Sequence, residues 1–284
     1  MGKTPNSFSP GFTREDYRNL LSNGIIIEGR RVGPASLFIE IHSGKPGRTS
    51  FFVIGTLLLE TIRSVAKDHP VYCAPPSWFL LSNPKCYISD IAAFLAREIM
   101  SIKQDGPYLL GGYCFNGWIA LEIARILRAS RKNVDLLFFL DDRAPQRWLR
   151  SSLTRIGKRC FPIKRNGSSS LKPPVNETDN NLLEADTPIL EGRKAATNFY
   201  KNGRPKYAGS VDIVLHRSNR IKNILDKMDW KGLVKGRLLI TFIHGSHAWK
   251  NHMQIVELKK VLSNCLDKAQ KIADRRKNEH SSLS

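Results

Sequence analysis

No stretch of this sequence approaches the roughly 18 consecutive apolar residues that a membrane-spanning helix needs. The first residues, MGKTPNSFSPGFTRED, also lack the apolar run of a secretory signal. Together these absences point to a soluble chain of the cytoplasm. Cysteine is sparse: Cys73, Cys86, Cys114, Cys160 and Cys265 are scattered and include no C-x-x-C pair, which argues against a disulfide framework and against a zinc site. There are no internal repeats. Acidic residues are also few, with 25 Asp and Glu against 45 Lys and Arg, giving a formal charge of +20 and a pI near 10.0. Such a balance favours an acidic partner: nucleic acid, an anionic membrane or an acidic carrier protein. The positive charge is dispersed, however. Its two short clusters, KRCFPIKR (158–165) and KIADRRKNEH (271–280), come with no zinc-finger spacing and no RNP-type aromatic motif, so nucleic acid is disfavoured.

What is present is enough for a large core. Of the 284 residues, 41% are hydrophobic, which excludes disorder as the main description. Strand-like and helix-like segments alternate, as expected for an α/β fold with a mostly parallel sheet and helices on both faces. SLFIEI (36–41), SFFVIG (50–55), PVYCAP (70–75), PYLLGG (107–112), SVDIVLH (210–216) and RLLITFIHG (237–245) read as strands. VDLLFFLD (134–141) is a nearly continuous apolar run of strand length, the mark of a central strand covered on both faces. TLLLETIRSVAKD (56–68), SDIAAFLAREIMSIK (89–103) with Ser89 or Asp90 as its cap, GWIALEIARILRAS (117–130), EGRKAATNFYKNG (191–203) and MQIVELKKVLSNCLDKAQKIAD (253–274) read as helices. Residues 146–186, with basic clusters, GSSS and an Asn/Asp-rich run, read as an irregular insertion.

The most informative stretch is GPYLLGGYCFNGWIALEIARIL (106–127), a strand running straight into a helix through Gly112, Tyr113, Cys114, Phe115, Asn116 and Gly117. This is the layout of a nucleophile elbow, in which a reactive side chain stands on a tight turn at a helix N-terminus. Unpaired N–H groups and the helix dipole there favour a thiolate. The usual pattern is G-x-S-x-G. Here Cys114 stands for Ser and Asn116 for the second Gly, with Gly117 following. Such a nucleophile needs an acid and a histidine later in the chain. Asp141 and Asp142 end the strongest apolar strand, so at least one carboxylate lies at the sheet edge that holds the elbow. His247, in IHGSHAWKNH, follows the last strand; His244 and His252 are its neighbours, and loop placement favours His247.

These segments resemble the thioesterase domains that end nonribosomal peptide synthetases and polyketide synthases, and their free-standing relatives. The elbow segment, the preceding YISDIAAFLAREIMSIKQ, PVYCAP, LLFFLDDRAP, FYKNGRPKYAGSVDIVLHRS and IHGSHAW all have counterparts there, in the same order. The resemblance implies an α/β-hydrolase fold over 36–265, between an N-terminal leader (1–35) and a basic helix end and tail (266–284). It also implies a helical lid at about 146–200. On this reading Cys114 is the nucleophile, His247 the base and Asp141 the acid, with Asp142 as fallback. The backbone N–H of Phe115 and that of Gly55 or Thr56 would form the oxyanion hole. No cofactor of its own is implied. The substrate is an acyl or peptidyl group on the phosphopantetheine arm of an acidic carrier protein acting in trans.

Two departures bear on activity. The family's first core strand usually leads into H-G and a Gly-rich loop, whereas here Ile54 stands at the His position and FFVIG runs directly into TLLLETIRSV. Losing one oxyanion donor slows acyl transfer by roughly a hundred- to a thousandfold, so a slow enzyme is one expectation. A degenerate hydrolase fold kept as a binding or scaffold protein is another, and a hydrolase of acyl-CoA or ordinary esters is a third. Cysteine in place of serine does less damage, because a thiolate is a competent nucleophile.

Overall fold

The computed structural model describes residues 27–33, 36–56, 59–75, 88–114, 116–141, 200, 206–217, 220–245 and 251–281. Among these lie eight strands: β1 (Arg30–Arg31), β2 (Ile39–His42), β3 (Phe51–Ile54), β4 (Val71–Ala74), β5 (Tyr108–Tyr113), β6 (Val134–Leu140), β7 (Val211–His216) and β8 (Leu238–Ile243). They form one sheet in the order β1-β2-β4-β3-β5-β6-β7-β8. β1 and β2 run antiparallel to their neighbours, and all later pairings are parallel.

The unbroken apolar runs go to the middle of this sheet. All four residues of β3 and all of β6 except Asp135 are buried. Because strand side chains alternate between faces, β6 feeds two cores: Leu137 and Phe139 on one side, Leu136, Phe138 and Leu140 on the other. The first core is closed by α2 (Ile88–Ile102) and α3 (Asn116–Ala129), and the second by α5 (His252–Ser281) and its neighbour α1 (Leu59–Val65). In α2 the buried positions include Ile91, Phe94, Leu95 and Ile99, the expected helical stripe. Ser89 and Asp90, read as caps, lie instead inside its first turn, where a carboxylate complements the dipole.

Two helical features were not legible. Helix α4 (Arg220–Leu233) joins β7 to β8 and buries Trp230 against Phe139, ring centroids 5.2 Å apart. Its exposed Ile224 and Met228 blur the apolar stripe among many charges. Helix α5 also runs on to Ser281. Its last turns are tied to the body of the domain by Arg276, paired with Asp135, and by the Lys277 Nζ, which donates to the Gly47 carbonyl at 3.1 Å. The expected lid at 146–200 and the helix expected at 191–203 lie outside the described residues, apart from Tyr200. Its hydroxyl lies 3.0 Å from Glu122 Oε1 and 3.2 Å from the Trp118 carbonyl.

Two histidines make the fold sensitive to acid. His69 is buried, with its Nδ1–H donating to the Thr49 carbonyl at 2.8 Å. Both ring nitrogens of His42 are buried without a hydrogen-bond partner among the described residues. Burial pushes both imidazoles below their usual 6.5, and Arg63 adds to the effect at His42. The unfolded chain therefore binds protons that the folded chain refuses. The stability that these two groups contribute is fully present above pH 6.5 and falls as the pH drops from there through the lowered folded values. The urea midpoint is expected to fall between about pH 7.5 and about pH 5.5. His69→Asn, which keeps an N–H donor but takes up no proton, should flatten that fall; an unchanged slope would assign the effect elsewhere.

Candidate active site

The strand-to-helix corner has the backbone of a nucleophile elbow. Cys114 takes a left-handed conformation (φ 52°) that L-residues adopt only when their surroundings enforce it. The surroundings include two hydrogen bonds: the Cys114 N–H donates to the Leu140 carbonyl at 2.8 Å, and its own carbonyl accepts from the Gly117 N–H at 3.1 Å. β5 and α3 meet closely here. A Cβ on Gly112 would lie 2.5 Å from the Gly117 Cα. Gly117, one position later than in the usual pattern, thus supplies the second small residue.

Asn116 has a different use. It is buried, and its Nδ2 donates to the Tyr113 carbonyl at 3.2 Å. The same Nδ2 would lie 2.9 Å from a Cβ on Gly55, whose φ of 98° also calls for glycine. The larger residue at the elbow and the missing side chain at the end of β3 are therefore complementary. The Gly55 N–H, one of two considered for the oxyanion hole, is instead committed to the sheet, donating to the Ala74 carbonyl at 2.9 Å. The Thr56 N–H has no acceptor among the described residues. Phe115, Asp142 and His247 lie outside the described residues.

Asp141 lies at the same sheet edge, one strand over. It too is left-handed (φ 52°), it is buried, and its N–H donates to the Val214 carbonyl at 2.7 Å. Its carboxylate Oδ1 lies 2.6 Å from Nδ1 of His216, the last residue of β7. Reading the sequence did not single out His216. The strand SVDIVLH shows it, but its neighbour is visible only once β7 is known to lie beside β6. Elsewhere, burial pushes the thiols of Cys73 and Cys265 up to about 12, so both are inert near neutral pH. Among the described residues no group of three or more His, Cys, Asp or Glu is placed to hold a metal ion, and no helix is long and apolar enough to cross a membrane.

A mostly parallel sheet of this order with a left-handed residue between β5 and α3 defines an α/β-hydrolase fold. A family model for the thioesterase domain matches residues 82–268, well over half of the chain, and the protein belongs to that family. It is 32% identical over 231 residues to the non-reducing polyketide synthase ntnG of a Nectria species, covering 72% of this chain and 11% of the synthase. It is 26% identical over 201 residues to polyketide synthase PksR of Bacillus subtilis (strain 168), covering 69% of this chain and 7% of that one. The chain thus corresponds to a small part of these relatives. Among solved structures, the NocB thioesterase domain in covalent complex with a fluorophosphonate nocardicin G analog superposes with a TM-score of 0.55 at 15% identity, covering 81% of this chain and 100% of that one. YbtT, a type II thioesterase from the yersiniabactin NRPS/PKS pathway, gives 0.53 at 19% identity, covering 82% and 99%. These likenesses concern the fold.

Proposed function

We propose that the protein is a thioesterase of polyketide or nonribosomal peptide biosynthesis that takes an acyl or peptidyl group from the phosphopantetheine arm of a carrier protein. The observation that carries this reading is the left-handed Cys114 at the elbow of a thioesterase-family domain, with Asp141 at the end of the next strand. In the proposed reaction His247 takes the Cys114 proton as the sulfur adds to the thioester carbonyl. The N–H groups of Phe115 and Thr56 receive the oxyanion. The pantetheine thiolate leaves with the proton held by His247. Water, or an amine or hydroxyl within the acyl group, then attacks the new thioester and releases a free acid or a cyclic product. Asp141 orients His247 and stabilises its charged form, with Asp142 as the alternative acid. The protein needs no cofactor of its own for these steps. A net charge of +20 supports an acidic carrier acting in trans.

The short connection after β3 favours slow turnover, because β3 ends at Ile54 and α1 begins at Leu59. The same observation favours a second reading, a degenerate hydrolase fold retained for binding or scaffolding. The test of the first reading is a substrate panel in which one acyl group is presented on a carrier protein, on coenzyme A and as a simple ester. Release from the carrier is expected to exceed the others by about tenfold or more in kcat/KM. Equal rates on all three would make it a general ester or acyl-CoA hydrolase instead.

A further inference from the structure

The carboxylate assigned above to the orienting acid already has an imidazole against it. The ring of His216 is placed so that its Nδ1–H donates to Asp141 Oδ1 at 2.6 Å, a charge-assisted bond because an ionised carboxylate only accepts. The Asp141 side chain is 1% exposed and that of His216 19%. The backbone explains how they meet. β6 and β7 are parallel and pair Leu140 with Val214. The Asp141 N–H extends that ladder by one bond to the Val214 carbonyl, and His216 stands two residues beyond Val214, on the same face of its strand.

We propose that His216 is a positioning residue for Asp141. Its N–H fixes the rotation of the buried carboxylate and leaves the remaining lone pairs to the catalytic histidine, so that one acid serves two imidazoles. This inference rests on the reading of Asp141 as the acid of the triad. A carboxylate has about four acceptor sites, enough for both rings. Without the His216 N–H, the buried carboxylate at the end of β6 would lose a short charge-assisted bond that holds its angle, and small errors of aim at a catalytic group are expensive in rate.

The test uses the full chain and a panel of acetyl-, hexanoyl- and benzoyl-pantetheine, following single-turnover acylation of Cys114 by mass. His216→Leu is expected to slow acylation by roughly ten- to a hundredfold while the half-saturating concentration stays within about twofold. His216→Asn, whose side-chain N–H falls near the Nδ1 position, should recover to within about threefold of the native rate; His216→Gln, whose N–H falls near Nε2, should not. If His216→Leu fails to fold, the comparison of Asn with Gln still decides. Native rates in all three variants, or Asn no faster than Gln at matched melting temperature, would overturn the proposal. So would a His216→Leu protein as inert as Cys114→Ala beside an active His247→Ala protein, since His216 would then be the base itself. An adduct on the native protein with unaltered His216 variants removes this proposal alone. No adduct on the native protein removes the thioesterase reading of Cys114, and the positioning role falls with it.

Discussion

Replacing Cys114 by alanine is expected to abolish the acyl adduct that forms when the native protein meets an acyl-pantetheine thioester, a loss of at least about a thousandfold in transfer rate. The effect should be this large because the elbow presents one sulfur where the backbone of α3 begins. Among the described residues no other thiol can replace it: those of Cys73 and Cys265 are buried and held up to about 12. Intact mass before and after incubation, followed by peptide mapping, checks the claim. An adduct mapping to Cys114 and absent from Cys114→Ala supports the enzyme reading. No adduct with several acyl groups, in protein shown to be folded, would favour the scaffold. The chemistry of the adduct carries a second consequence. A thioester on Cys114 is close in energy to the one it came from, so it should live long enough to meet an amine or hydroxyl as well as water. Added amine should therefore raise the rate of release, and equal release with and without amine counts against this account.

Gly112→Ala is expected to destabilise the fold by about 3 kcal/mol and to slow acyl transfer by at least about tenfold. The new methyl group would sit 2.5 Å from the Cα and 2.6 Å from the N of Gly117, backbone atoms that cannot rotate aside. β5 and α3 would have to part, and the start of α3 would move away from the nucleophile. Gly232→Ala is the control. It lies in α4 with nothing within 4 Å of its added Cβ, and alanine there should be neutral or stabilising by up to about 1 kcal/mol. Urea midpoints of the two variants measure the difference. A Gly112→Ala protein within about 0.5 kcal/mol of native would mean that this contact relaxes easily.

Much of the fold was legible because strands buried on both faces leave an unmistakable apolar run. VDLLFFL and FFVI became β6 and β3 for that reason. The elbow was legible through its glycines, since a strand and a helix can touch only where side chains are absent. Less visible was anything that depends on which strands are neighbours. The sequence separation of Asp141 from His216 hides a contact created by the pairing of β6 with β7. The fate of the Gly55 N–H was equally hidden, because it depends on the Ala74 carbonyl across the sheet. Helix α4 escaped notice because it buries Trp230 and Leu233 while exposing Ile224 and Met228, so apolar residues on two faces among many charges hide its stripe.

Cys114 and Asp141 share one further property, a left-handed backbone at neighbouring strand ends. For residues with a Cβ that conformation costs roughly 1–2 kcal/mol each, and glycine at either position would relieve it. The fold therefore carries a thermal handicap at the two positions proposed for its chemistry. Selection for heat tolerance alone, blind to turnover, would drift toward glycine at 114 and 141 and arrive at a sturdier protein with no thiol and no acid. Side chains at these two positions lower the stability of the fold, a cost that the chemistry proposed for them accounts for.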